Sequence, residues 1–183
     1  MNSTSVAQIF LEMLLFTQKK TLEDLLSEID KLRLKKPFFV KMPISNSTRV
    51  IKIMLDVIAK HSSKGVIFGN LQKDRSHPSL IKSEVIKFRI GNFSGKPTFE
   101  RSNELIKFAH KNYKKRFAII GCGGVFSAQD AYVKIKKGAS LVQLITGMIF
   151  EGPQLIHEIN SGLVKLLAID GFKNIADAVG ADS

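Results

Sequence analysis

The chain has 183 residues, 44 % of them hydrophobic and 24 % charged, with a formal net charge of +12 and a single cysteine. That composition fits one globular domain, able to bury about 70 % of the surface its unfolded form exposes, and excludes a fibrous or disordered chain. Cys122 alone cannot form an internal disulfide, no apolar run reaches the length of a membrane-spanning helix, and the four histidines show no metal-ligand spacing. The positive charge invites a nucleic-acid reading. However, the lysines fall in pairs at Lys19-Lys20, Lys35-Lys36, Lys114-Lys115 and Lys136-Lys137, mostly near helix ends, where they complement the dipole and face water. No arginine-rich tract or aromatic-interleaved basic stripe accompanies them, so no nucleic-acid partner is expected.

Residues 1–20 form an atypical N-terminal segment. No basic residue precedes their apolar part and Glu12 interrupts it, which argues against a signal peptide. From Thr21 onward a repeating unit emerges. Thr21 is expected to cap a helix with Asp24 three positions on, carrying Leu22, Leu25, Leu26 and Ile29 on one face and stopping at Pro37. Phe38–Met42 reads as a strand. A second helix is expected from about Ser47 to His61, followed by a strand in GVIFGN (65–70). Residues 71–98 lose periodicity and read as a long functional or mobile loop, with VIKF (85–88) as a short strand. Helix returns near Arg101–Tyr113 and Phe117–Gly121 is the third strand. Ser127, with Asp130, caps a helix ending at Gly138, and Leu141–Ile145 is the fourth strand. A final helix starts at Pro153 and carries Leu155, Ile156, Ile159, Leu163 and Leu166. Strand and helix alternating four times imply parallel strands buried on both faces, as a doubly wound sheet or as half of a (β/α)8 barrel.

The glycines of AIIGCGGVFSAQD (118–130) let the chain turn sharply at a strand end, and the helix opening at Ser127 points its amino end to the same region. The next strand ends in LVQLITG, offering Thr146 and the amides of Gly147 and Met148. Glycine turns after consecutive strands point to a phosphate site, although tight βα turns have the same composition. Lys41, at the end of FFVK, reads as a ligand-facing or a merely solvated lysine. Asn70 reads as a hydrogen-bonding partner for a planar ligand or as a turn residue. Cys122 reads as a small packed residue, not a nucleophile.

The segments FFVKMP, GVIFGN, NFSGKP, IIGCGGVFSAQDAYVKIKKGASLVQLITGMIFEGPQLI and GFKNIADAVGAD, in this order and spacing, resemble the C-terminal half of class 2 (quinone-dependent) dihydroorotate dehydrogenase. The resemblance covers roughly residues 21–182. It implies an α/β fold whose parallel βα units form the second half of a (β/α)8 TIM barrel, with residues 21–183 as that half. It also implies FMN as cofactor, dihydroorotate, orotate and quinone as reaction partners in pyrimidine synthesis, and a peripheral place on the cytoplasmic side of a membrane, with the chain itself soluble. Carried over position by position, Lys41 would contact the flavin ring, Gly69 and Gly95 the cofactor, and Gly124, Ile145 and Thr146 its phosphate end, with Asn70 and Leu71 at the substrate. Gly69, Leu71 and Ile145 stand where the family usually has threonine, threonine and tyrosine, and Asn92 where it has glycine. The motif that carries the family's serine base is absent from residues 1–20, where Ser3 and Ser5 are no substitutes, so no catalytic residue is assigned. The chain is thus expected to be a C-terminal fragment or degraded gene product with negligible activity alone. The alternative is a non-catalytic FMN- or phosphate-binding half-barrel that self-associates or pairs with a separate N-terminal half.

Overall fold

The computed structural model describes residues 19–183; the reading of residues 1–18 lies outside them. The elements run α1 (Lys19–Lys31), β1 (Phe39–Met42), α2 (Thr48–Ile58), β2 (Gly65–Phe68), α3 (Lys82–Val85), a 3₁₀ turn (Lys96–Thr98), α4 (Phe99–Tyr113), β3 (Ala118–Cys122), α5 (Ala128–Lys136), β4 (Leu141–Gln143), α6 (Thr146–Glu151), α7 (Leu155–Asp170) and α8 (Ile175–Ala178). The four strands pair in parallel in the order β1-β2-β3-β4. One register row crosses the sheet through Met42, Phe68, Gly121 and Val142, so residues far apart in sequence share one level near the carboxyl ends of the strands.

The helices form where apolar side chains recur on one face. Leu22, Leu26 and Ile29 of α1, Ile51 and Leu55 of α2, and Leu105 and Ile106 of α4 pack with Val66, Phe68 and Ile119 in the largest core cluster. A second cluster gathers Val125, Ala131, Leu155 and Ile159 beneath α5 and α7. Polar groups fasten the loops to this frame. Arg116 donates to the carbonyls of Ala59 and Ser63 at 2.9 and 2.8 Å, satisfying acceptors that the end of α2 leaves over. Asp30 accepts from the hydroxyl and the amide of Ser62 and meets His61, joining α1 to the end of α2; the Ser62 hydroxyl leads in holding this carboxyl below its ordinary range.

Several expectations need correction. Thr21 lies inside α1, already helical at Lys19, because lysines extend a helix readily and nothing before Thr21 stops it. Helix α1 ends at Lys31, well before Pro37, and the chain leaves through Arg33 in the left-handed region at φ 47°, which a right-handed helix cannot continue. VIKF is no strand: Val85 closes the single turn α3, and Arg75 gathers the carbonyls of Val85, Phe88 and Gly91. Pro153 precedes α7 by two residues instead of opening it. Burial on both faces holds for β2, whereas Leu141 on β4 is 60 % exposed, because no strand covers the outer edge of β1 or β4 among the described residues.

One cation is wholly interior. Lys134 of α5 has no exposed surface, and its Nζ donates to Ser102 Oγ at 3.1 Å and Asn103 Oδ1 at 2.9 Å. Burial pushes its amine down to about 8, opposed by Cys122, Asp130 and Glu100 nearby. A lysine in the unfolded chain stays charged to about 10.4, so the native state gains stability relative to the unfolded one as pH rises from about 8 toward 10. The melting temperature of the wild type minus that of Lys134→Met is therefore expected to increase over that window; a flat difference in parallel thermal melts would contradict it. For the apolar core, Leu55→Ala, at a fully buried position, should cost about 2–5 kcal/mol in urea unfolding, and a loss under about 1 kcal/mol would contradict the packing described.

Candidate functional site

At the carboxyl ends of the strands lies a cleft of about 820 Å³, within the range of small-molecule and cofactor sites. All eight residues singled out from the sequence line it: Lys41, Gly69, Asn70, Leu71, Gly95, Gly124, Ile145 and Thr146. They arrive from five places: β1, the turn after β2, the loop before α4, the turn after β3 and the start of α6. Lys41 comes from the inner row of β1. Gly69, Asn70 and Leu71 follow β2, with the Asn70 amide bonded to Met42 O at 3.1 Å. The Asn70 side-chain oxygen accepts from the Leu71 amide at 2.9 Å, so this asparagine does shape the turn. Leu71 brings only apolar surface to the wall.

The turn after β3 is where side chains have no room. Gly124 has φ +72°, and a Cβ there would lie 2.6 Å from Phe99 Cβ. Gly147 at the start of α6 is equally restricted, since its Cβ would meet the Val125 carbonyl at 2.1 Å. Bare backbone from both turns therefore faces the cleft. The two loops are joined to a third, because Thr146 Oγ1 donates to Ser94 Oγ at 2.9 Å, next to Gly95.

The amino ends of α5 and α6 are capped differently. At α5 the Ser127 side chain accepts from the Asp130 amide, while the Asp130 carboxylate accepts from the Phe126 amide at 3.0 Å and the Ser127 hydroxyl at 2.9 Å. A carboxylate thus already occupies that amino end. Helix α6, by contrast, begins at Thr146 with no side-chain cap from Ile145, and its first residues line the cleft. Its leading amides have no acceptor inside the helix, which is the usual setting for a bound anion. Sequence reasoning missed α6 because six residues are too few to display a helical period.

Ser94, Thr98 and Gln143 also line the cleft without any sequence signal, and Cys122 lies half-buried on its wall, not packed away. Among the described residues, Lys41 and Cys122 are the ionisable side chains in the lining. The glycine at position 69 has a local cause: a Cβ there would come within 2.1 Å of Ile44 Cγ2, so Ile44 fills the room a threonine would need. Among the described residues, no group of three or more His, Cys, Asp or Glu gathers, and no helix is long and apolar enough to cross a membrane.

The donor set suits a nucleotide-type cofactor such as FMN. An uncapped helix start and two glycine turns whose space a side chain would fill make one end an anion cradle, and the rest of the wall is mixed apolar and amide surface.

Comparison with known proteins agrees with this geometry. The family model described as Dihydroorotate dehydrogenase matches residues 12–167. The chain is 38 % identical over 147 residues to Dihydroorotate dehydrogenase (quinone) of Deinococcus radiodurans, covering 79 % of this chain and 38 % of that protein. It is also 38 % identical over 146 residues to the enzyme of that name from Haloarcula marismortui, with 80 % and 40 % covered. The chain therefore spans about two fifths of the length of these relatives. Among solved structures, DHODH from Eimeria tenella in complex with ferulenol matches with a TM-score of 0.80 and 26 % identity, over 92 % of this chain and 50 % of that one. The ligand-free form from the same organism matches with a TM-score of 0.82 at 24 % identity, over 93 % and 52 %, a likeness of fold. Taken with the cleft at the strand ends, these matches show that the parallel βα units are the second half of a (β/α)8 barrel and that the chain belongs to the dihydroorotate dehydrogenase family, with quinone-dependent enzymes as its relatives.

Proposed function

We propose that residues 21–183 are the FMN-holding half of a quinone-dependent dihydroorotate dehydrogenase barrel, acting on dihydroorotate and orotate in pyrimidine synthesis. The observation that carries the reading is the convergence of all eight sequence-derived residues on one cleft. In it, the turn at Gly124 and the start of α6 at Ile145 and Thr146 hold the phosphate. Gly69 and Gly95 leave room for the cofactor against the backbone, and Lys41 approaches the flavin ring from β1. Asn70 orients the substrate, and Leu71 packs against it without hydrogen-bonding. Bound there, FMN supplies the two-electron acceptor that dihydroorotate oxidation requires and that a quinone later regenerates.

Proton removal needs a base, and among the described residues the cleft lining includes no carboxylate or histidine. The proposed division of labour follows: this half binds cofactor and substrate, and the proton acceptor comes from outside the described lining. Loss of general-base catalysis typically costs about 10²–10⁴-fold. The purified chain alone should therefore bind FMN yet give no dihydroorotate-dependent dye reduction; turnover would contradict this division. For binding, Gly124→Asp should abolish flavin retention by forcing the turn off Phe99, which leaves a Cβ no room, and Lys41→Ala should weaken it. Flavin absorbance after gel filtration reads both, and unchanged retention in the two variants would mean the cleft is misassigned.

A second reading, in which the half-barrel is a non-catalytic binding unit completed by a partner half, draws on the exposed edge. Leu141, Ile145, Ile149 and Phe150 lie together in sequence around β4 and α6, and Phe150 is 77 % exposed. Either form of the proposal requires this surface to be covered by a separate N-terminal half or by self-association. Light scattering should accordingly give a mass well above the 20.4 kDa of one chain; a stable monomer would contradict it.

A further inference from the structure

Lys134 is not in the lining of the cleft; its Nζ donates to Asn103 Oδ1 of α4 at 2.9 Å, and its other partners, Ser102 and Phe99, border turns that form the cleft. Ser102 Oγ, which accepts from Lys134 Nζ at 3.1 Å, is itself bonded to the carbonyls of Cys122 at 2.8 Å and Phe68 at 3.1 Å. Those carbonyls end β3 and β2, and the residues that follow them, Gly123 and Gly69, line the cleft. On its other side the Lys134 ammonium lies 4.8 Å from the centre of the Phe99 ring. Phe99 is the residue against which Gly124 is packed. One buried ammonium thus bears on two strand ends and on the floor beneath the glycine turn.

A positive charge strengthens each of these contacts. Hydrogen bonds from a charged donor are roughly twice as strong as neutral ones, and attraction to the Phe99 face depends on the charge itself. Glu100 on α4, Asp130 on the lysine's own helix and the Cys122 thiol on β3 all favour the cation, while burial opposes it. Holding an ammonium in this place costs the fold stability below pH 8, so its value to the protein is to be sought in the cleft and not in the core.

We propose that Lys134 is a positioning residue for the cleft: through Ser102 and Phe99 its cation fixes the Gly69 and Gly123–Gly124 turns in the arrangement that receives the phosphate. The inference rests on the reading of the cleft as an FMN site, but it concerns groups of this chain that can be followed without the flavin.

The test titrates FMN into the full chain by flavin fluorescence at about pH 7 and about pH 9, using wild type, Lys134→Met and Lys134→Arg. In parallel, hydrogen exchange of the segment 121–125 is measured without FMN. Wild-type affinity is expected to fall about threefold or more between the two pH values, a loss that corresponds to one cation–π contact. Lys134→Arg, charged at both, should show no such fall. Lys134→Met should bind weakly at both, with exchange at 121–125 raised several-fold. A purely structural role would weaken Lys134→Met but leave the wild-type profile flat, and that result overturns the proposal. So does a Lys134→Met variant with wild-type affinity, pH profile and exchange. Should the lysine variants fail to fold, Ser102→Ala, which removes the relay and keeps the cation, is expected to lose affinity at pH 7 and to raise exchange; wild-type behaviour in both would overturn the proposal. If wild type binds no FMN at either pH, the FMN reading fails, and the exchange data decide the positioning role alone.

Discussion

The rest of the site depends on the close approach of backbone at the turn after β3. A Cβ on Gly124 would lie 2.6 Å from Phe99, and one on Gly123 would lie 2.3 Å from Thr98 Oγ1. No side chain fits, so the turn packs directly on the start of α4, and peptide groups instead of side chains face the cleft. This packing also fixes where β3 stops, and therefore where β2 and β4, its neighbours in the sheet, present Asn70 and Thr146. A strand end without that contact would leave the same residues in the sequence but not on one surface.

From this constraint follows a division between two helix ends. Helix α5 begins immediately after the glycine turn, yet it satisfies its own amino end with Ser127 and Asp130 and so presents negative charge there. Helix α6 starts after β4 without a cap and lies along the same wall. The two ends differ by one carboxylate, which makes the start of α5 the less favourable of the two for an anion. Lys134, between the strand ends and Phe99, ties this geometry to a charge that can titrate.

Much of this was legible in the sequence, for reasons that can be named. The four strands are short apolar runs between helical stripes, and period alone finds them. The eight site residues stand at strand ends or in glycine turns, where parallel βα folds gather their ligands, and the family resemblance assigned them individually. What escaped were features created by distant contacts. The segment around VIKF takes its shape from Arg75, ten and more residues earlier, which no local pattern announces. The capping pair at Ser127 is visible in the sequence, whereas the bond from the Phe126 amide to Asp130 is not. Gly69 departs from the family for a reason local sequence does not carry, since Ile44 fills the space beside it.

The cofactor's phosphate is proposed to lie between the turn at Gly124 and the uncapped start of α6. A crystal structure of the chain grown with FMN tests this most directly. It should show the phosphate within hydrogen-bonding distance of backbone amides from both the Gly124 turn and the Thr146–Gly147 turn. A phosphate at the amino end of α5, or a flavin bound away from the carboxyl ends of the strands, would contradict it.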